Sequence, residues 1–61
     1  MHQMIYEFSY IDNEGDLYES GGYPTLTEVK QAWKEVQIHH DYDCRIEEKW
    51  IYDGDRFVGR W

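Results

Sequence analysis

No lysine or arginine occurs before Lys30, while the first 23 residues hold five carboxylates: Glu7, Asp12, Glu14, Asp16 and Glu19. Cysteine is nearly missing too. Cys44 stands alone, so no internal disulfide can form. Small secreted domains usually carry an even set of cysteines, and the single thiol therefore points to a reducing cytoplasm. No apolar run approaches the roughly 18 residues that cross a bilayer. No basic-then-apolar stretch opens the chain. With one proline and five glycines, there is no linker, repeat or low-complexity tract. CxxC and HExxH spacings, a nucleophile elbow and a phosphate loop are all lacking. The sequence thus assigns no catalytic residue, cofactor or metal, and the expectation is a non-enzymatic protein.

What is present is a 61-residue chain that forms one domain over residues 1–61. A chain this short buries only about 60% of its unfolded surface. Large side chains compensate: eleven residues are Phe, Trp or Tyr, and each can bury roughly 150–250 Å². That suffices for a core, but not for a core plus a deep cofactor cavity. The net charge is −7 and the pI about 4.6. Such a chain is repelled by nucleic acid and by anionic membranes. Its expected partner is another protein with a basic groove, and nucleic-acid-handling proteins are the largest such class.

Periodicity predicts an α+β fold, a single small ββαββ domain. A four-stranded antiparallel sheet is expected, with one helix packed on one face. Residues 1–11 alternate strictly, with Met4, Tyr6, Phe8 and Tyr10 on one side. Gly15 supplies the positive φ of a hairpin loop, after which Tyr18 falls opposite Tyr10 and Glu19 opposite Ser9. Thr25 and Glu28 form a capping box, and a helix runs to about His39 with Leu26, Val29, Trp33, Val36 and His40 inward. Residues 43–52 and 57–61 form a second hairpin about Asp53-Gly54. That register sets Tyr52 against Asp55, Trp50 against Phe57 and Ile46 against Trp61. Trp33 is expected to pack on Phe8, Trp50 and Trp61.

This topology gathers Asp12, Glu14 and Asp16 near Asp41, Tyr42 and Asp43, which are the candidate partner-binding residues. Polar loop composition alone could account for them; the functional reading is electrostatic docking on a basic groove. The outer sheet face is expected to carry Ile5, Glu7 and Glu19 on one half and Arg45, Lys49, Arg56 and Arg60 on the other. Cross-strand pairing within the sheet explains that pattern at about 0–1 kcal/mol per exposed pair. The alternative is a two-fold homodimer in which the acidic half of one copy meets the basic half of another. Phosphate binding by these bases is disfavoured, because the stacking aromatics fall on the opposite face. The segment His39-His40-Asp41-Tyr42-Asp43-Cys44 has metal-ligand residue types. Adjacent histidines diverge by about 100° on a helix, and Cys44 alternates inward as a small core residue.

Being small, single-domain, tyrosine-rich and acidic, the chain resembles in composition the DNA-mimicking and inhibitor proteins of phages and mobile elements. The resemblance is one of composition and assigns no residues. It implies carboxylates standing in for phosphates in the basic groove of a nucleic-acid-handling or defence protein.

Overall fold

The computed structural model describes residues 3–61. Residues 1 and 2, where the first strand was expected to begin, lie outside the described residues. The element order is β1 (Met4–Ile11), β2 (Leu17–Glu19), α1 (Leu26–His39), β3 (Arg45–Asp53) and β4 (Arg56–Gly59). All strand pairs are antiparallel, in the order β2-β1-β3-β4. The ββαββ α+β fold is therefore what the alternation predicted. The two long strands are central, and the edges are short, which limits unwanted pairing at the sheet rim.

The first hairpin has the expected register, with Tyr10 opposite Tyr18 and Ser9 opposite Glu19. Its loop is built by Asp12, whose Oδ1 accepts from the amides of Glu14 at 3.0 Å and Asp16 at 2.9 Å. Gly15 closes it at φ 87. Beyond Glu19 the strand loses its ladder, and Ser20 takes over: its amide donates to the Phe8 carbonyl and its hydroxyl accepts from the Phe8 amide. Tyr23 then rejoins the sheet by a bridge to Tyr6.

The helix begins where the capping signal placed it. Thr25 is extended, and its hydroxyl oxygen accepts from the Glu28 amide at 3.2 Å. The Glu28 carboxylate reaches back to the Thr25 hydroxyl, not to its backbone amide. Val29 is fully buried, and Trp33 lies edge-on to Phe8 with centroids 5.5 Å apart. Phe8 and Val29 are the largest fully buried side chains. Each such apolar burial contributes about 1.5–3 kcal/mol. Leu26, expected inward, is more than a third exposed at the helix start.

The second half of the sheet departs from the expected register at three places, one of them a shift between Ile51 and Tyr52 in the β3–β4 ladder. Between Ser9 and Tyr10 the β1–β3 ladder shifts: Ser9 faces Glu48, yet Tyr10 faces Ile46. Glu47 is thus an extra residue, a β-bulge. The side chains of β3 beyond it change faces relative to strict alternation. Trp50 pairs with Glu7 and joins the open face, whereas Lys49 pairs with Phe8 on the helix side. The strands also continue to Asp53 and restart at Arg56, so the turn residues are Gly54 and Asp55. Gly54 has φ 66 and Asp55 has no positive φ, which matches the turn that takes glycine at its first central position. Tyr52 accordingly faces Phe57, not Asp55. Trp61 lies against Phe8 at 6.1 Å, not opposite Ile46, and its indole donates to the Glu7 carbonyl at 2.7 Å.

Candidate functional site

At one end of the sheet, Tyr10 joins the two acidic segments. Its ring stacks on Tyr18 at 5.5 Å and lies 5.9 Å from His40 at the end of the helix. The pairing of Ile11 with Arg45 brings the start of the 12–16 loop beside the start of β3. The structure therefore brings Asp12, Glu14 and Asp16 to the same pole as Asp41, Tyr42 and Asp43.

These six residues are not equivalent. Asp12 is only 8% exposed, and one of its oxygens is engaged by two backbone amides. It shapes the loop more than it faces outward. Glu14, Asp16, Asp41, Tyr42 and Asp43 are exposed. Asp41 and Tyr42 both adopt left-handed backbone, at φ 54 and 64. Their amides donate to the carbonyls of Ile38 at 3.2 Å and Gln37 at 2.6 Å. That is the bonding pattern of a Schellman helix end, in which glycine usually holds the first left-handed position. A tyrosine 63% exposed follows directly, so the chain bears backbone strain at the place where it displays these side chains.

The negative field of the pole acts on its phenols. Tyr18 is held above the ordinary phenol range, first by the charge of Asp12, then by Asp16, burial, Glu14 and a hydrogen bond with Asp12. Tyr10 is also raised, first by burial and then by the electrostatic influence of Tyr18, Cys44 and Asp12. One base interrupts the segregation: Arg45 is exposed next to the pole.

Asp12, Glu14 and Asp16 each bring a carboxylate oxygen within 4.8 Å of the other two. A hard cation such as calcium takes six to eight oxygens, and Asp12 already commits one to the loop. The metal-type residues at the helix end do not converge. Among the described residues His39, His40 and Cys44 do not join in a three-ligand cluster: the two histidine rings meet edge-on at 5.0 Å, and Cys44 is buried with its sulfur 3.9 Å from the Val36 carbonyl.

The candidate dimer face is divided by the new register. Ile5, Glu7, Glu19 and Arg45 share the open face. Lys49 and Arg56 do not. Lys49 sits on the Phe8 side with its ammonium 4.5 Å from the centre of the Trp61 ring. Arg56 pairs with Asp53, which pairs with Met4 on that same side. Arg60 follows the end of β4. Two of the four bases that a two-fold pairing of this face relied on thus lie on the helix side.

In place of those bases, the open face holds Trp50, Tyr52 and Phe57, a row that strict alternation assigned to the core. The signal for it is Glu47-Glu48-Lys49, three consecutive charges inside a strand. Unbroken alternation would have pointed Glu48 into the core. The Trp50 indole donates to the Glu7 carboxylate, and the Tyr52 and Phe57 rings meet edge-on at 6.0 Å.

Surface grooves lie beside the helix and at the second turn. One of about 350 Å³ runs between Tyr23 and the helix residues Glu28, Gln31 and Glu35. The other, about 440 Å³, surrounds the Gly54 turn. Among the described residues no helix is long and apolar enough to cross a membrane. Protein-family models, curated proteins and solved structures were all compared with the chain, and none matches.

Proposed function

We propose that this chain is a non-enzymatic acidic binding protein of the inhibitor or DNA-mimic type. It acts in the cytoplasm and docks its acidic pole on a basic surface of a nucleic-acid-handling or defence protein. The supporting observation is the convergence, around Tyr10, of the 12–16 loop with the strained turn that displays Asp41, Tyr42 and Asp43. Glu14, Asp16, Asp41 and Asp43 supply exposed charge, and Tyr42 supplies contact area at low entropic cost. In this reading the carboxylates replace phosphates among lysines and arginines. Attraction of that kind steers association and weakens with salt.

The test is capture from host lysate at low salt, with proteins identified by mass. It is run beside a variant carrying Glu14→Gln, Asp16→Asn and Asp43→Asn. Asp12 stays in place because the loop depends on it. The proposal expects a basic partner that elutes at moderate ionic strength and is not retained by the variant. Capture that resists salt, or that the variant retains in full, contradicts it.

A further inference from the structure

We infer that the open face of the sheet is a homodimer interface, in which two copies pack face to face about a two-fold axis parallel to the strands. This inference does not rest on the acidic-pole reading. It starts from a shortage of core. Among the described residues only Phe8, Val29 and Cys44 are buried apolar side chains. Of eleven aromatic residues, Phe8 alone is buried. A single core leaves a chain this short little stability, and small domains commonly add disulfides, metals or further copies. The lone Cys44 excludes an internal disulfide.

The open face holds apolar surface for such a copy. Ile5, Tyr52 and Phe57 form one row, with Glu7 and Trp50 in the next. Ile11 and Leu17 form a row at the far end. Leu17 is 61% exposed and Phe57 58%.

Charge is divided across the midline of this face. The β1–β2 half brings Glu7 and Glu19. The β3–β4 half brings Arg45, Glu48 and Arg60. The Ile51–Gly59 pair, continued by one residue, sets Arg60 opposite Trp50. Trp61 after it returns to the helix side against Phe8, as alternation requires. One half therefore holds acids alone, and the other holds both bases of the face.

A two-fold axis running between β1 and β3 sets each half against the other kind. Such an interface is isologous, and aligned sheets pack about 10 Å apart. β4 of one copy then crosses β2 and the Gly21-Gly22 segment of its partner. That edge has no side chains: a Cβ on Gly22 would lie 2.7 Å from Ile5 Cγ2 and 3.9 Å from Glu7 Oε1. Arg60 of one copy enters this gap between Glu7 and Glu19 of the other, and the symmetry repeats the contact. Tyr52 covers Ile5 of the partner, and Glu48 falls over the small Ser9. A guanidinium suits the gap because it is planar and can bond carboxylates through two N–H groups at once. The axis also brings both acidic poles to one end of the dimer. Their repulsion is screened at moderate ionic strength, where the dimer is expected to form.

The test is sedimentation equilibrium at moderate salt, up to high micromolar chain. The parent is expected to be a dimer that dissociates on dilution. Arg60→Glu and Phe57→Ser, both at exposed positions, should each weaken dimerisation by about tenfold or more, with the circular dichroism spectrum unchanged. Glu19→Arg alone should weaken it as well. Arg60→Glu combined with Glu19→Arg should restore association, because the contact re-forms with its signs exchanged. A parent that is monomeric at every concentration overturns the inference. So does a dimer that Arg60→Glu and Phe57→Ser leave intact, which names another surface, or a double variant no better than Arg60→Glu.

Discussion

Replacing Asp41 with glycine should make this protein more stable. Asp41 holds the first left-handed position after α1, at φ 54. There its amide bonds the Ile38 carbonyl, and the next amide bonds that of Gln37. A residue with a Cβ carries about 1–2 kcal/mol of steric cost in this backbone region, with Asp and Asn at the low end. Glycine removes that cost but loses more conformational freedom on folding, by roughly 0.5–1 kcal/mol. The net gain is at most about 0.5 kcal/mol, which in a domain of this size raises Tm by up to about 4 °C. Thermal and urea unfolding followed by circular dichroism measure it directly. Asp41→Ala is the control, since it keeps the Cβ and should show no gain. A glycine variant no more stable than the parent would refute the reasoning, because the left-handed strain would then be unreal. If the gain is found, residue 41 holds a side chain that folding alone does not favour, as expected where a surface is kept for binding.

Further outcomes follow from the packing and the titrating groups. Gly22→Ala would place a Cβ 2.7 Å from Ile5 Cγ2; overpacking against a stiff β-branched side chain should cost about 1–3 kcal/mol in urea unfolding, and a neutral result would contradict the close approach. Glu7→Leu leaves the Trp50 indole without its acceptor and should destabilise the fold by about 1–3 kcal/mol, with a change in tryptophan emission. The phenols of Tyr10 and Tyr18 are raised in the folded state, so the native chain holds their protons more tightly than the unfolded one. That stability is complete below the ordinary phenol pKa of about 10 and is lost as pH rises from there through the raised native values. Unfolding midpoints should fall across this alkaline window, and fall less in a Tyr10→Phe, Tyr18→Phe variant; equal losses in both proteins would contradict the assignment.

The first half of the fold was legible because local signals there agree. Strict alternation over β1, a glycine at the one left-handed loop position and the Thr25–Glu28 cap each specify geometry without reference to distant residues. The second hairpin was misread for two local reasons. Asp53-Gly54 looks like a turn pair, but Gly54-Asp55 is an equally good one, and cross-strand packing selected it. The bulge at Glu47 then reversed the faces of Lys49, Trp50 and Tyr52. An unbroken strand would have buried Glu48 beneath the helix, and inserting one residue frees both glutamates. The acidic pole depends mainly on chain direction, which survives such shifts, so Tyr10 still lies between Tyr18 of the first hairpin and His40 at the helix end. The open-face aromatic row depends on side-chain parity, which a single inserted residue inverts.

The central claim is that the exposed carboxylates of the pole occupy a groove that otherwise holds nucleic acid. Competition tests it most directly: the isolated partner is saturated with duplex DNA, and binding of this chain is then measured at fixed low salt. The account predicts mutual exclusion, with DNA displaced by the parent and not by the Glu14→Gln, Asp16→Asn, Asp43→Asn variant. Simultaneous binding of DNA and chain to the partner, or equal displacement by both proteins, would contradict it.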